Sequence, residues 1–109
     1  MIAKESEIKF IVGLDENKVP EDIKWAASDA GVDLTPSKAV MMSVWDEKTK
    51  NTLRIDLWTK QMTVDEMKQF YHQTFLSMAD SFERATDESK MAIRMREFAK
   101  EFAEKMELL

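Results

Sequence analysis

Cysteine is absent from this chain of 109 residues, and histidine occurs once, as His72. Without cysteine there are no disulfide frameworks, no thiolate zinc sites and no thiol nucleophiles. A single histidine also excludes a cluster of several histidine ligands within one chain. The two glycines, Gly13 and Gly31, are too far apart for a phosphate-binding loop and too few for a dinucleotide-binding fingerprint.

Long apolar runs are lacking as well. The longest is residues 10–14, with Gly13 inside it, whereas a membrane-spanning helix needs about 20 apolar residues. The N-terminus has no apolar segment behind a basic start, as a signal peptide would have. We therefore expect a cytoplasmic protein without membrane insertion. The 16 Lys and Arg against 21 Asp and Glu give a net charge of -5, which disfavours nucleic acid as a partner.

The residues that are present predict a globular protein. Hydrophobic residues make up 44% of the chain and charged residues 34%, a composition typical of folded domains. At this length the chain supports one hydrophobic core. We therefore predict a single domain over residues 1–109.

Apolar and polar residues alternate in four short segments, a period that indicates β-strands with one buried face. The segments are residues 8–14, 23–27, 40–44 and 53–57. The stretches around Gly31 and Pro36 between the second and third segments have the composition of loops. The connections are too short for helical crossovers, so the strands are expected to form one antiparallel meander.

The last two segments form the clearest local unit. If Val44 faces Leu53 across a hairpin, the same register places Met42 opposite Ile55 and continues the apolar pairs to Val40 and Leu57. We expect this apolar face, with Ile55 at its centre, to be buried in the core.

After residue 60 the apolar period becomes helical. Thr63 and Glu66 form a predicted capping box, and the first helix should run to about Arg84. Thr86 or Asp87 can cap a second helix. The predicted fold is therefore α+β, a four-stranded antiparallel β-meander followed by two C-terminal α-helices packed on one of its faces.

Candidate catalytic residues are few. Within its predicted helix, His72 has Lys68, Gln69, Phe75 and Leu76 three and four positions away, none of them a nucleophile or a carboxylate. The carboxylates lie in turns and helix caps and do not follow the spacing of a calcium-binding loop. We predict no catalytic, cofactor-binding or metal-binding residues, and a protein that is not an enzyme.

The other face of the predicted hairpin carries Met41, Trp45 and Trp58 beside Arg54 and Asp56. The outer face of such a sheet is normally polar, and tryptophan is enriched at interface hot spots. Met41, Trp45 and Trp58 are therefore the candidate interface residues, for a protein partner or for self-association.

Several extended segments resemble one family. They are residues 6–10, 29–32, 43–46, 51–60, 64–67 and 78–86, which read SEIKF, DAGV, SVWD, NTLRIDLWTK, VDEM and MADSFERAT. Together they resemble GldC, the gliding motility-associated protein of Bacteroidetes. The resemblance implies an accessory role in the gliding machinery and carries no catalytic or ligand residues with it.

The residues and the family resemblance together favour a non-enzymatic accessory protein of gliding that acts through protein–protein contacts and needs no cofactor. Two alternatives stay open. The order of strands and helices resembles the SecB chaperone in outline, which predicts an export module that binds unfolded clients. Alternatively, a sheet curled against helices could enclose a small ligand.

Overall fold

The computed structural model describes all 109 residues, which form five strands and two helices. The elements are β1 (Ile8–Leu14), β2 (Pro20–Ala27), β3 (Val32–Ser37), β4 (Ala39–Trp45), β5 (Thr52–Trp58), α1 (Val64–Thr86) and α2 (Ser89–Lys105). A short 3-10 turn at Ser28–Ala30 joins β2 to β3. The chain divides into two compact units, Met1–Met62 with the strands and Thr63–Leu109 with the helices.

The α+β class and the two C-terminal helices are confirmed, but the single four-stranded meander is wrong. The strands form two sheets, one of three strands in the order β1-β2-β3 and one of two strands, β4-β5. All neighbouring strands in both sheets are antiparallel.

The prediction of a loop between the second and third segments is wrong, because β3 lies there. Gly31 precedes it in the left-handed conformation, with φ of 69°, and Pro36 lies within it opposite Lys24. Proline is tolerated here because β3 is at the edge of its sheet. The register with β2 shifts between Trp25 and Ala27, and Leu34 on β3 has a positive φ of 27°. Such interruptions accompany β-bulges.

The separation into two sheets occurs at one residue. β3 ends at Ser37 and β4 begins at Ala39, and the Ser37 hydroxyl donates a hydrogen bond across Lys38 to the carbonyl of Ala39 at 2.8 Å. The two ladders therefore meet along one nearly continuous stretch of chain, β2 pairing with its first half and β5 with its second.

The turn between β1 and β2 is organised by one carboxylate. Asp15 Oδ1 accepts hydrogen bonds from the amides of Asn17 at 2.8 Å and Val19 at 3.0 Å. Its other oxygen pairs with the Lys60 ammonium, just beyond β5. The hydrogen bond from Lys60 and, to a smaller extent, that from Val19 lower the pKa of Asp15. The same bond to Asp15 raises the pKa of Lys60.

The helical unit is an α-helical hairpin in which four alanines are buried. Ala79 of α1 and Ala92, Ala99 and Ala103 of α2 are fully buried. Phe75 packs edge-on against both Phe98 and Phe102, with ring centres 5.4 and 5.2 Å away. The predicted Thr63 capping box is present, with the Thr63 hydroxyl accepting from the Glu66 amide at 3.0 Å. Neither helix is long and apolar enough to span a membrane.

Candidate interaction surface on the β4–β5 hairpin

The hairpin has the predicted register. Val44 lies opposite Leu53, Met42 opposite Ile55 and Val40 opposite Leu57. The intervening pairs place Met41 opposite Asp56, Ser43 opposite Arg54 and Trp45 opposite Thr52. Since side chains of paired residues share a face, Met41, Trp45 and Trp58 lie on one side of the hairpin. We call this side the Trp face.

A hydrogen-bonded turn closes the end of the hairpin next to Trp45. Asp46 Oδ2 accepts hydrogen bonds from the Thr49 amide at 2.7 Å and the Thr49 hydroxyl at 2.8 Å. These bonds lower the pKa of Asp46, because they stabilise the charged carboxylate. Lys50 closes the turn with a positive φ of 56°, and its amide donates to the Asp46 carbonyl.

The opposite end of the hairpin is anchored beside Trp58. The next residue, Thr59, donates its amide hydrogen to the Lys38 carbonyl at 2.8 Å and is almost wholly buried. Its hydroxyl oxygen is buried without a hydrogen-bond partner. Backbone hydrogen bonds therefore hold the hairpin at both of its ends.

A polar strip crosses the middle of the Trp face. The Arg54 guanidinium donates to the Ser43 hydroxyl at 2.9 Å and to Asp56 Oδ1 at 3.0 Å, with a longer second contact to Asp56 Oδ2. This two-point geometry orients the planar guanidinium. The guanidinium joins β4 to β5. Together with Asp56 it places two charges of opposite sign between the two tryptophans.

The tryptophan side chains are open to solvent. Trp45 is 67% exposed and Trp58 is 54% exposed, whereas Met41 is half-buried. Buried aromatic rings stabilise a fold through large apolar areas, whereas each of these two residues remains more than half exposed. The surface is apolar at both ends and polar in the middle.

The expectation that the opposite face is buried in the core is wrong. Val44, Leu53 and Ile55 are 50%, 56% and 53% exposed, and Val40, Met42 and Leu57 are half-buried. We call this side the aliphatic face. The alternation of apolar residues correctly predicts which residues share this face. It does not show what covers the face, so the expected burial does not follow from it.

The family comparison matches most of the chain. A family model described as gliding motility-associated protein GldC-like covers residues 20–108, a range that includes the whole β4–β5 hairpin and both helices. The chain belongs to the GldC-like family. This confirms the resemblance and associates the chain with gliding motility. No curated protein and no solved structure matches it.

His72 of this GldC-like chain lies half-buried on α1. Its neighbours along the helix, Tyr71 and Phe75, contact each other with ring centres 6.2 Å apart. The carboxylates with lowered pKa are Asp15, Asp46 and Glu83. They lie in two different turns and on α1, and each accepts hydrogen bonds from other residues of the fold.

Proposed function

We propose that this GldC-like protein is a non-enzymatic accessory component of bacterial gliding motility, working in the cytoplasm of a member of the Bacteroidetes. It acts by binding another protein of the gliding machinery through the Trp face, without a cofactor. The observation that carries the proposal is the pair of solvent-exposed tryptophans, Trp45 and Trp58, on the same side of one hairpin.

The polar strip between the rings supports a specific protein contact. Trp side chains supply a large contact area with little loss of side-chain freedom. The Arg54 and Asp56 charges between them are already paired at 3.0 Å. A partner that covers this strip therefore meets a preoriented donor and acceptor, and a wrong partner removes water from their remaining hydrogen-bonding positions without replacing it.

The test replaces both rings. The double variant Trp45→Ser with Trp58→Ser is expected to fold, since both side chains are mostly exposed, and to lose both gliding and recovery of a gliding protein in a pull-down. The matched control is Val44→Ser with Leu53→Ser, which removes similarly exposed apolar groups from the aliphatic face of the same hairpin.

Two outcomes contradict the proposal. If the double tryptophan variant unfolds, the rings stabilise the fold and are not a contact surface. If it stays folded and retains gliding and its bound partners, the Trp face is not the binding site. Binding of many unrelated unfolded proteins by the wild type would instead favour a SecB-like chaperone activity.

A further inference from the structure

One edge of β5 has no neighbouring strand, because the sheet contains β4 and β5 alone. Two hydrogen bonds fix the direction in which the β5 backbone points. The Thr59 amide donates to the Lys38 carbonyl, and the Asp46 amide donates to the Asn51 carbonyl. Both residue pairs continue the β4–β5 register beyond its two ends. Hydrogen-bonded pairs alternate along an antiparallel ladder. Leu53, Ile55 and Leu57 therefore direct their backbone groups toward β4.

The intervening residues direct their N–H and C=O groups toward the open edge. They are Thr52, Arg54, Asp56 and Trp58. All of β5 except the half-buried Leu57 is exposed. Natural proteins usually protect an open edge with proline, charged side chains or a bulge. β5 has no proline and no bulge, and its two charges are of opposite sign, so they oppose a strand with unlike charges less than a run of one sign would.

The sequence of this edge is complementary to itself. We propose that β5 pairs antiparallel with β5 of a second copy of the chain, about a two-fold axis through Ile55. In that register Arg54 lies opposite Asp56 of the second copy, and Leu53 lies opposite Leu57. Ile55 lies opposite itself, and Thr52 lies opposite Trp58.

The backbone directions agree with this pairing. Arg54 and Asp56, which face the open edge, form hydrogen-bonded pairs with Asp56 and Arg54 of the second copy. Ile55 then forms the close, non-hydrogen-bonded pair at the axis. Each guanidinium, already bound to Asp56 of its own strand at 3.0 Å, gains a second carboxylate across the interface.

The neighbouring registers of the β5–β5 pair are electrostatically less favourable. Moving the axis to Arg54 places two guanidinium groups directly opposite each other, and moving it to Asp56 does the same with two carboxylates. Like charges in directly opposed positions are destabilising. A shift by one residue would pair the Trp face of one copy with the aliphatic face of the other. The charges therefore select the Ile55-centred register and a second copy as the occupant.

The first test uses charge reversal. Wild type is expected to have about twice the 12.7 kDa chain mass in sedimentation equilibrium. Arg54→Asp and Asp56→Arg alone are each expected to give single chains, because each brings like charges together across the axis. Mixing these two variants restores opposite charges at every pair and should restore the two-chain mass, as should the double exchange R54D/D56R.

The second test reads the register and does not depend on those variants folding. The chain contains no cysteine, so single cysteines report unambiguously. Ile55→Cys should form an intermolecular disulfide under mild oxidation, since Cα atoms of a non-hydrogen-bonded pair are about 4.5 Å apart. Leu53→Cys, on the same face with similar exposure, should not, because the two copies of residue 53 lie about 13 Å apart along the strands.

Three results overturn the pairing. They are a single-chain mass for wild type up to the solubility limit, a two-chain mass that persists in both charge-reversal variants, and equal cross-linking of Cys at positions 53 and 55. The variant Trp45→Ser separates this inference from the proposed function. Trp45 lies on β4, so its loss should weaken partner recovery and leave the two-chain mass unchanged.

Discussion

Arg96 of α2 and Glu83 of α1 form an ion pair across the helical hairpin, with 2.8 Å between Nη2 and Oε1. The same nitrogen contacts Asp80 at 2.9 Å. The hydrogen bond from Arg96, with a second from Ser89, lowers the pKa of Glu83 below its ordinary value of 4.5. The folded state therefore favours ionised Glu83 more than the unfolded state does.

The lowered pKa of Glu83 makes the stability of the fold depend on pH. The contribution of Glu83 is fully present above its unfolded pKa of about 4.5 and is lost as the pH falls through its lower folded pKa. Arg96→Met, which keeps the apolar stem, should therefore melt a few degrees below wild type at pH 7. The difference between the two melting temperatures should become smaller in strongly acidic buffer, where Glu83 is protonated.

Arg94→Met is the matched control for this experiment, because Arg94 is an exposed arginine on the same helix without an ion pair to α1. Its melting temperature should follow that of wild type at both pH values. A loss of stability in Arg96→Met that is equal at neutral and acidic pH would show that the charge pairing is not its cause.

Ile23 and Ile55 provide a second prediction because they are the same residue in different surroundings. Ile23 is 1% exposed and Ile55 is 53% exposed. Ile23→Ala should cost roughly 2–5 kcal/mol of unfolding free energy, as cavity-forming substitutions do. Ile55→Ala should cost about 1 kcal/mol or less, mainly through the lower strand propensity of alanine.

Urea denaturation midpoints at high dilution measure both values without a contribution from association. A cost for Ile55→Ala equal to that for Ile23→Ala would show that the aliphatic face is buried in solution. This expectation replaces the one from sequence alone, which placed Ile55 at the centre of the core.

The features that could be predicted from sequence are those fixed by neighbouring residues. The register from Val44 and Leu53 onward was predictable, because one alignment satisfies all apolar pairs of a short hairpin. The Thr63 capping box was predictable for the same reason, since its partners are three residues apart.

The features that could not be predicted depend on distant parts of the chain. β3 contains Asp33 and Pro36 and resembles a loop. It becomes a strand because β2 offers it an edge, where proline costs little. The exposure of Ile55 depends on what covers the sheet, and periodicity contains no such information. For the candidate interface, the shared face of Met41, Trp45 and Trp58 was predictable, but the Arg54–Asp56 ion pair between the rings was not.

The capping box supplies a third prediction. The Thr63 hydroxyl accepts the Glu66 amide hydrogen at 3.0 Å, and the Thr63 amide donates to Glu66 Oε1 at 3.1 Å. Thr63→Ala should cost about 1 kcal/mol because it leaves an amide of the first turn unsatisfied. Thr63→Ser keeps the hydroxyl and should lie close to wild type in urea denaturation. Equal losses in both variants would indicate that the threonine methyl group, and not the cap, is important.

His72 supplies the prediction that bears on chemistry. It is the only histidine of the chain, and histidine is the side chain that most often acts as a general acid or base, so an undiscovered acid–base activity would be expected to use it. His72→Ala should change the unfolding free energy by about 0.5 kcal/mol or less, as most substitutions outside the core do. It should also leave gliding intact, because a protein that acts through its hairpin surface does not need a proton carrier on α1.

The informative comparison for His72 is with the double tryptophan variant in the same cells. Both proteins should be folded and present at wild-type levels, as judged by melting curves of the purified chains and by immunoblotting. Gliding should then be lost with Trp45→Ser and Trp58→Ser and kept with His72→Ala. The reverse pattern, in which His72→Ala abolishes gliding with an unchanged melting curve, would assign a chemical role to the imidazole. It would then contradict the proposed non-enzymatic function, because neither stability nor the hairpin surface could account for the loss.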